Sequence, residues 1–186
     1  MEVLDEASVN IDHSTVKYGG FWPRLGAMLL DGLVLSPITV SIIFFNVSSW
    51  KSIEILIIGT ILTVAYKPFL EFYYGATLGK MAVGLKVVNL ELQKASIEEI
   101  LLRNIFYIVP SVISLYFSIE IYRDPGFADI DGFIEYSAFS QQFKIPQYVT
   151  WASALITLVD GIIMLADNQS RSLHDKIGKT LVIKRP

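Results

Sequence analysis

The stretch FWPRLGAMLLDGLVLSPITVSIIFF, residues 21–45, decides what kind of protein this is. It is long enough to cross a bilayer, which needs about 20 consecutive, mainly apolar residues. It also carries Arg24 near its start and Asp31 midway. An ion at mid-bilayer depth costs roughly 2.5–3.5 kcal/mol on insertion scales, so a chain seldom keeps one without a partner or a use. A second carboxylate, Asp160, is embedded in the last apolar run, residues 146–166.

Working outward, the 186 residues are 53% hydrophobic and only 18% charged. Soluble domains carry about a quarter charged residues, so this balance and four apolar runs of bilayer length point to a membrane domain. The expected fold is an all-α transmembrane, four-helix polytopic bundle, spans at about 21–45, 53–74, 97–122 and 146–167. It occupies residues 19–186, after an acidic, flexible segment 1–18 that holds Glu2, Asp5, Glu6 and Asp12. That segment is unlike a signal peptide, and the first run ends without a small-x-small cleavage site, so an uncleaved first helix is expected. Pro37 is expected to kink the first span. The run at 97–122 is the weakest, with Arg103-Asn104 near its start and Pro110 in its middle; it reads as a kinked span or a re-entrant segment. Cysteine is absent, which excludes disulfides and thiolate chemistry. A net charge of -3 argues against a nucleic-acid partner, which would want a basic stripe.

Basic residues set orientation. Lys80, Lys86 and Lys94 follow the second span, and Arg171, Lys176, Lys179, Lys184 and Arg185 follow the fourth. The turn after the first span has Lys51 alone, and the loop 123–144 carries Asp124, Asp129, Asp131 and Glu135. Four spans with both termini cytoplasmic satisfy this distribution. Between the helices, Leu85–Val88 and Thr180–Ile183 read as short strands, each after a glycine and a membrane helix, and are expected to pair as a hairpin-like clasp. Ser96 followed by Glu99 is a capping-box pattern.

With this orientation, Arg24, Asp31, Lys67, Glu71, Arg103 and Asp160 all fall in the cytoplasmic half, so four helices contribute to one polar layer. Arg24 and Asp31 share a helix face but stand roughly 10 Å apart along it, too far for direct contact. Two carboxylates at like depth cannot both ionise cheaply without a cation between them. Arg24 or Lys67 could supply it, which makes a structural clamp; a shared proton or bound cation instead makes a carrier. Lys67 and Glu71 have the spacing of an i,i+4 pair. Three other signals fail. Gly-Ala-Thr-Leu-Gly-Lys (75–80) lacks the first glycine of a phosphate loop and has Met81 after the lysine. Asp129-x-Asp131-Gly132 lacks a preceding aspartate and a closing glutamate for calcium. His174-Asp175 reads as a helix-terminal hydrogen-bond pair rather than a catalytic base. No cofactor, resident metal or enzymatic activity is expected.

Arg24 and Asp31 in the first helix and Asp160 in the last resemble the arginine and two aspartates that name the RDD family of membrane proteins. Residues 75–88, residues 172–183 and the pair Arg103-Asn104 resemble further segments of that family, and the similarity runs from Gly20 to Ile183. The resemblance implies a multi-pass protein of a cell membrane, bacterial inner or plasma membrane, and some members look like antiporters of sodium, lithium or potassium against protons. On that reading Asp31 and Asp160 take a monovalent cation and a proton in turn, with Arg24, Lys67, Glu71 and Arg103 as charge partners. So small a chain is expected to work as a homo-oligomer in the lipid bilayer. The rival expectation is a non-transporting scaffold or assembly factor whose buried charges hold the bundle. The long acidic loop and Lys67-Pro68 depart from the commonest pattern of the family.

Overall fold

The computed structural model describes residues 16–185. Of the expected flexible segment, residues 1–15 lie outside the described ones. Helix α1 (Phe21–Phe45) runs on into a π-helical turn, Asn46–Trp50. α2 (Ile53–Tyr74) returns, and a short α3 (Leu78–Ala82) and strand β1 (Leu85–Asn89) follow. α4 (Ile97–Arg103), α5 (Ile105–Arg123), a 3-10 turn (Pro125–Asp129) and α6 (Phe133–Ser140) lead to α7 (Lys144–Ala166). α8 (Leu173–Ile177) and β2 (Thr180–Lys184) close the chain. Four segments are long and apolar enough to cross a membrane: Phe21–Trp50, Ile53–Tyr74, Ile105–Arg123 and Lys144–Ala166.

Burial is distributed as a membrane protein requires. Along the four long helices the large apolar side chains face outward; Leu33, Leu62, Val112, Leu155 and Leu165 are all exposed. The buried apolar clusters sit at the two ends instead. One gathers Ala27, Leu85, Val87, Ala95, Ile100 and Val182; the other gathers Val47, Ile121, Phe127 and Ile130 beneath Tyr122, Tyr136, Phe139 and Phe143. A long helix with an apolar outer face gains nothing from burial when lipid tails solvate it, whereas loops need internal partners for their backbone groups.

At the first end lies the clasp. β1 and β2 pair antiparallel, from Leu85 opposite Lys184 to Asn89 opposite Thr180. Residues 90–179 lie between the two strands, so this is no local hairpin. The segment before α1 lies along the far edge of β2, where the Gly19 amide donates to the Val182 carbonyl (2.8 Å) and that of Lys184 to Lys17 (2.8 Å).

Three sequence expectations change. The run 97–122 is two helices, not one. The predicted capping box at Ser96 and Glu99 starts α4. Asn104 ends it: its side-chain nitrogen bonds back to the Ile100 carbonyl (2.8 Å) while its backbone leaves helical geometry. Only α5 has the length of a span. The turn after α1 is a locked corner: buried Asn46 donates to the Ser52 carbonyl (3.0 Å) and accepts from its amide (2.9 Å). The acidic loop 123–144 is mostly helical, folded around the stacked Tyr122 and Phe127 rings.

Candidate functional site

The charged layer lies just inside the clasp. Its first part is a chain of ion pairs. Glu71, on the last turns of α2, pairs with Lys80 of α3 through one oxygen, and with Arg103 Nε (3.3 Å) and Asn104 Nδ2 (3.0 Å) through the other. Arg103 pairs onward with Asp175 of α8 and donates to Thr180 Oγ1 (2.9 Å). Asp175 also receives Arg24 of α1, whose remaining nitrogens donate to the carbonyls of Gly19 (2.7 Å) and Ser170 (2.8 Å). Glu71, Arg103 and Asp175 are buried, and helices α1, α2, α3, α4 and α8 meet through them. Such pairs hold only when geometry and further hydrogen bonds repay desolvation. Burial draws the Arg103 guanidinium below its ordinary range, against the pull of Glu71, and draws the Lys80 ammonium down to about 7.

Asp31 takes no part in that chain. Its carboxylate accepts from Tyr66 OH (2.8 Å), Thr77 Oγ1 (2.6 Å) and the Gly79 amide (2.7 Å). It thus pins the start of α3 against α1. Gly79 has to be glycine, because a Cβ there would overlap the Ala27 carbonyl oxygen. Asp160 does the corresponding work at α8: it accepts from the His174 amide (3.0 Å) and sits 2.7 Å from His174 Nδ1. Each aspartate therefore grips the second residue after a hydroxyl cap, Thr77 or Ser172. Burial first, and the nearby Arg103 charge next, hold His174 down at about 3, so it faces Asp160 as a neutral imidazole. A carboxylate only accepts, so the Nδ1 nitrogen carries the proton. Farther out, Asp167 lies at about 2; burial raises it, but the Arg171 amide, Lys176 and the Gln169 amide outweigh that. Lys176 Nζ stands 2.9 Å from it.

Lys67 points into the same layer from α2. It lies within electrostatic reach of Glu71, Arg103, Asp160 and Asp31, yet makes no hydrogen bond or ion pair among the described residues. The i,i+4 spacing to Glu71 is not used, since Lys80, Arg103 and Asn104 already occupy that carboxylate.

The structure thus brings Arg24, Glu71 and Arg103 into one network and places Asp31, Asp160 and Lys67 around it without an ion pair joining the three. Arg24 and Asp31 have separate partners, as their spacing required. From sequence, His174 and Asp175 read only as a helix-terminal hydrogen-bond pair and Lys80 only as a marker of orientation, and Tyr66 and Thr77 had no role. A signal for Asp175 was present: Ser172 three residues before it is a second cap pattern, and the structure shows a capping box there. Arginines able to reach Asp175 leave no local trace, because Arg24 lies 151 residues away.

The family model for the RDD family matches residues 18–179. An uncharacterized membrane protein of Bacillus subtilis (strain 168), YteJ, is 34% identical over 86 residues, covering 41% of this chain and 52% of the relative. The chain thus spans about half the length of that curated relative. No solved structure matches it at a significant level. The family match contains Arg24, Asp31, Asp160, the layer they build and all four long apolar helices, and the chain belongs to the RDD family of membrane proteins.

Proposed function

We propose that this protein exchanges a monovalent cation such as sodium for protons, using Asp31 and Asp160. One observation carries the reading. Within the layer, arginines and a lysine neutralise Glu71 and Asp175 directly, whereas Asp31 and Asp160 are met by neutral donors and no arginine or lysine pairs with either. Carboxylates met by neutral donors, with no resident counter-charge in contact, are where a small cation gains most. By the positive-inside rule, the basic residues around the clasp support a reading with that end and both termini on the cytoplasmic side of a cell membrane. A homo-oligomer supplies the second wall that so small a bundle lacks. Purified protein in liposomes is expected to acidify or alkalinise the lumen when a sodium gradient is imposed, and Asp160→Asn to abolish the signal while eluting as a folded species. Equal signals from the two proteins would end the reading.

The second reading is a scaffold or assembly factor. It is favoured by the grip of each aspartate on a backbone amide of a short helix, which is a structural task. On that reading wild-type liposomes stay silent, and both Asp31→Asn and Asp160→Asn lower the melting temperature of the detergent-solubilised protein.

A further inference from the structure

A groove of about 310 Å³ runs between α2 and α5. Its walls are two stripes at helical spacing, Ile61, Ala65 and Pro68 on α2 and Ile108, Val112 and Leu115 on α5, with Leu101 of α4 at the end nearer the clasp. Thr60, in the same wall, turns its hydroxyl back onto the Leu56 carbonyl (2.8 Å), so the groove offers no free side-chain hydrogen-bonding group. Ile61, Leu101 and Val112 are exposed, and both α2 and α5 are long and apolar enough to span. At that depth the surrounding solvent is hydrocarbon, so an apolar groove between spans takes an acyl chain.

One turn of α2 beyond Pro68, roughly 6 Å nearer the clasp, comes Phe72. The Lys94 ammonium stands over its ring, 4.5 Å from the centroid, and 5.9 Å from that of Tyr73. Lys94 pairs with no carboxylate among the described residues; Glu99, on the helix that follows it, turns back onto the Ser96 amide (2.7 Å). The rings hold the ammonium in place and leave its charge uncompensated. Tyr73 and Phe69 are exposed beside it and stack on each other, as aromatic residues do at headgroup level. The headgroup layer of one leaflet is roughly 5–8 Å deep. A lipid whose chain lies in the groove therefore brings its phosphate to the level of Lys94.

We propose that α2, α4 and α5 hold one anionic phospholipid, its acyl chain in the groove and its phosphate paired with Lys94. The two halves of the site do different work. The groove recognises hydrocarbon and is indifferent to headgroup. Lys94 distinguishes headgroups: a zwitterionic lipid brings an ammonium of its own beside the phosphate, so it gains less from the lysine than a lipid with net negative charge. Ala65 sets the depth of the groove, since it is the smallest side chain in the wall. Binding of this kind does not depend on whether the protein moves cations.

The test is native mass spectrometry of the detergent-purified protein titrated with phosphatidylglycerol or phosphatidylcholine of identical chains, reading lipids bound per chain and oligomeric state together. Wild type is expected to keep one phosphatidylglycerol per chain, about fivefold more tightly than phosphatidylcholine, the worth of one lysine near an anionic surface. Lys94→Gln is expected to erase the preference and Lys94→Arg to keep it. Ala65→Phe, which fills the groove, is expected to weaken both lipids. Lys184→Gln removes an equal charge from an exposed site on β2 and is expected to change neither. Melting curves establish that each variant folds, and Ala65→Leu, a smaller plug, serves if Ala65→Phe melts early. Equal retention of the two lipids by wild type overturns the assignment. So does a preference lost as fully in Lys184→Gln as in Lys94→Gln, which would make it diffuse surface charge. Ala65→Phe that keeps its lipid but changes the oligomeric state also overturns it, by showing that a second copy of the chain covers the groove.

Discussion

Asp175 holds Arg24 and Arg103 at once, and neither guanidinium has another carboxylate that could take its place at that contact. Glu71 already shares itself between Lys80 and Arg103. Removing one member of a buried pair leaves the other charged and unsolvated, at a cost of about 3–5 kcal/mol. Asp175→Asn is therefore expected to lower thermal stability in detergent far more than Asp124→Asn, whose side chain only caps an exposed turn. Comparable melting temperatures for the two variants would contradict the network. The unusual depth of Arg24, Asp31 and Asp160 could be read from their apolar neighbours alone. Their partners could not, since a carboxylate is answered equally well by an arginine, a tyrosine hydroxyl or a backbone amide. Asp31 illustrates this: it is met by Tyr66, Thr77 and Gly79 and by no cation in contact.

The short helices α3, α4 and α8 are each too brief to be stable alone, and each begins on a hydroxyl cap. Two carry the reciprocal capping box, Ser96 with Glu99 and Ser172 with Asp175, but in different surroundings. Ser96 is exposed, so water replaces the lost bond in Ser96→Ala, and about 1 kcal/mol is expected to go. Ser172 is fully buried, and its hydroxyl also touches Asp175. Ser172→Ala leaves buried groups unpaired and is expected to cost more; equal losses in matched thermal melts would show that burial does not separate the two caps. At this scale the local patterns were informative. The strands and the Ser96 cap appear where turn residues and hydroxyl spacing put them. The break at Asn104 escaped because the apolar run continues straight through it, and only a side chain turned back onto Ile100 interrupts the helix. Gly178 marks why α8 can dock at all: a Cβ there would come within 2.7 Å of that of Arg103.

Across the whole molecule, packing is strongest at the two ends, and the clasp end couples the chain's beginning, middle and tail. Its stability is expected to depend on acidity with a definite sign. His174 is held at about 3 in the folded protein against an ordinary 6.5, so the unfolded chain binds the extra proton between these values. The stabilisation is complete above 6.5 and is lost as pH falls toward 3. Asp167, drawn down to about 2 from 3.8, adds a loss in the same direction at lower pH, tempered by its place near the surface. The melting temperature should thus decline steadily as pH drops below 6.5, and His174→Asn should flatten the upper part of that decline; a profile unchanged by the substitution would remove His174 as its source. What the sequence determined by itself was the solvent and the frame. Apolar length and scarcity of charge made a bilayer necessary, and local caps, glycines and alternation placed the strands and most helix ends, because these depend on residues a few positions apart. Only the tertiary structure decided which charges neutralise one another, since Arg24 and Asp175, Glu71 and Arg103, or Asp160 and His174 meet through the docking of separate elements. Electrostatic pairing depends on distance in space, and no spacing along the chain encodes it.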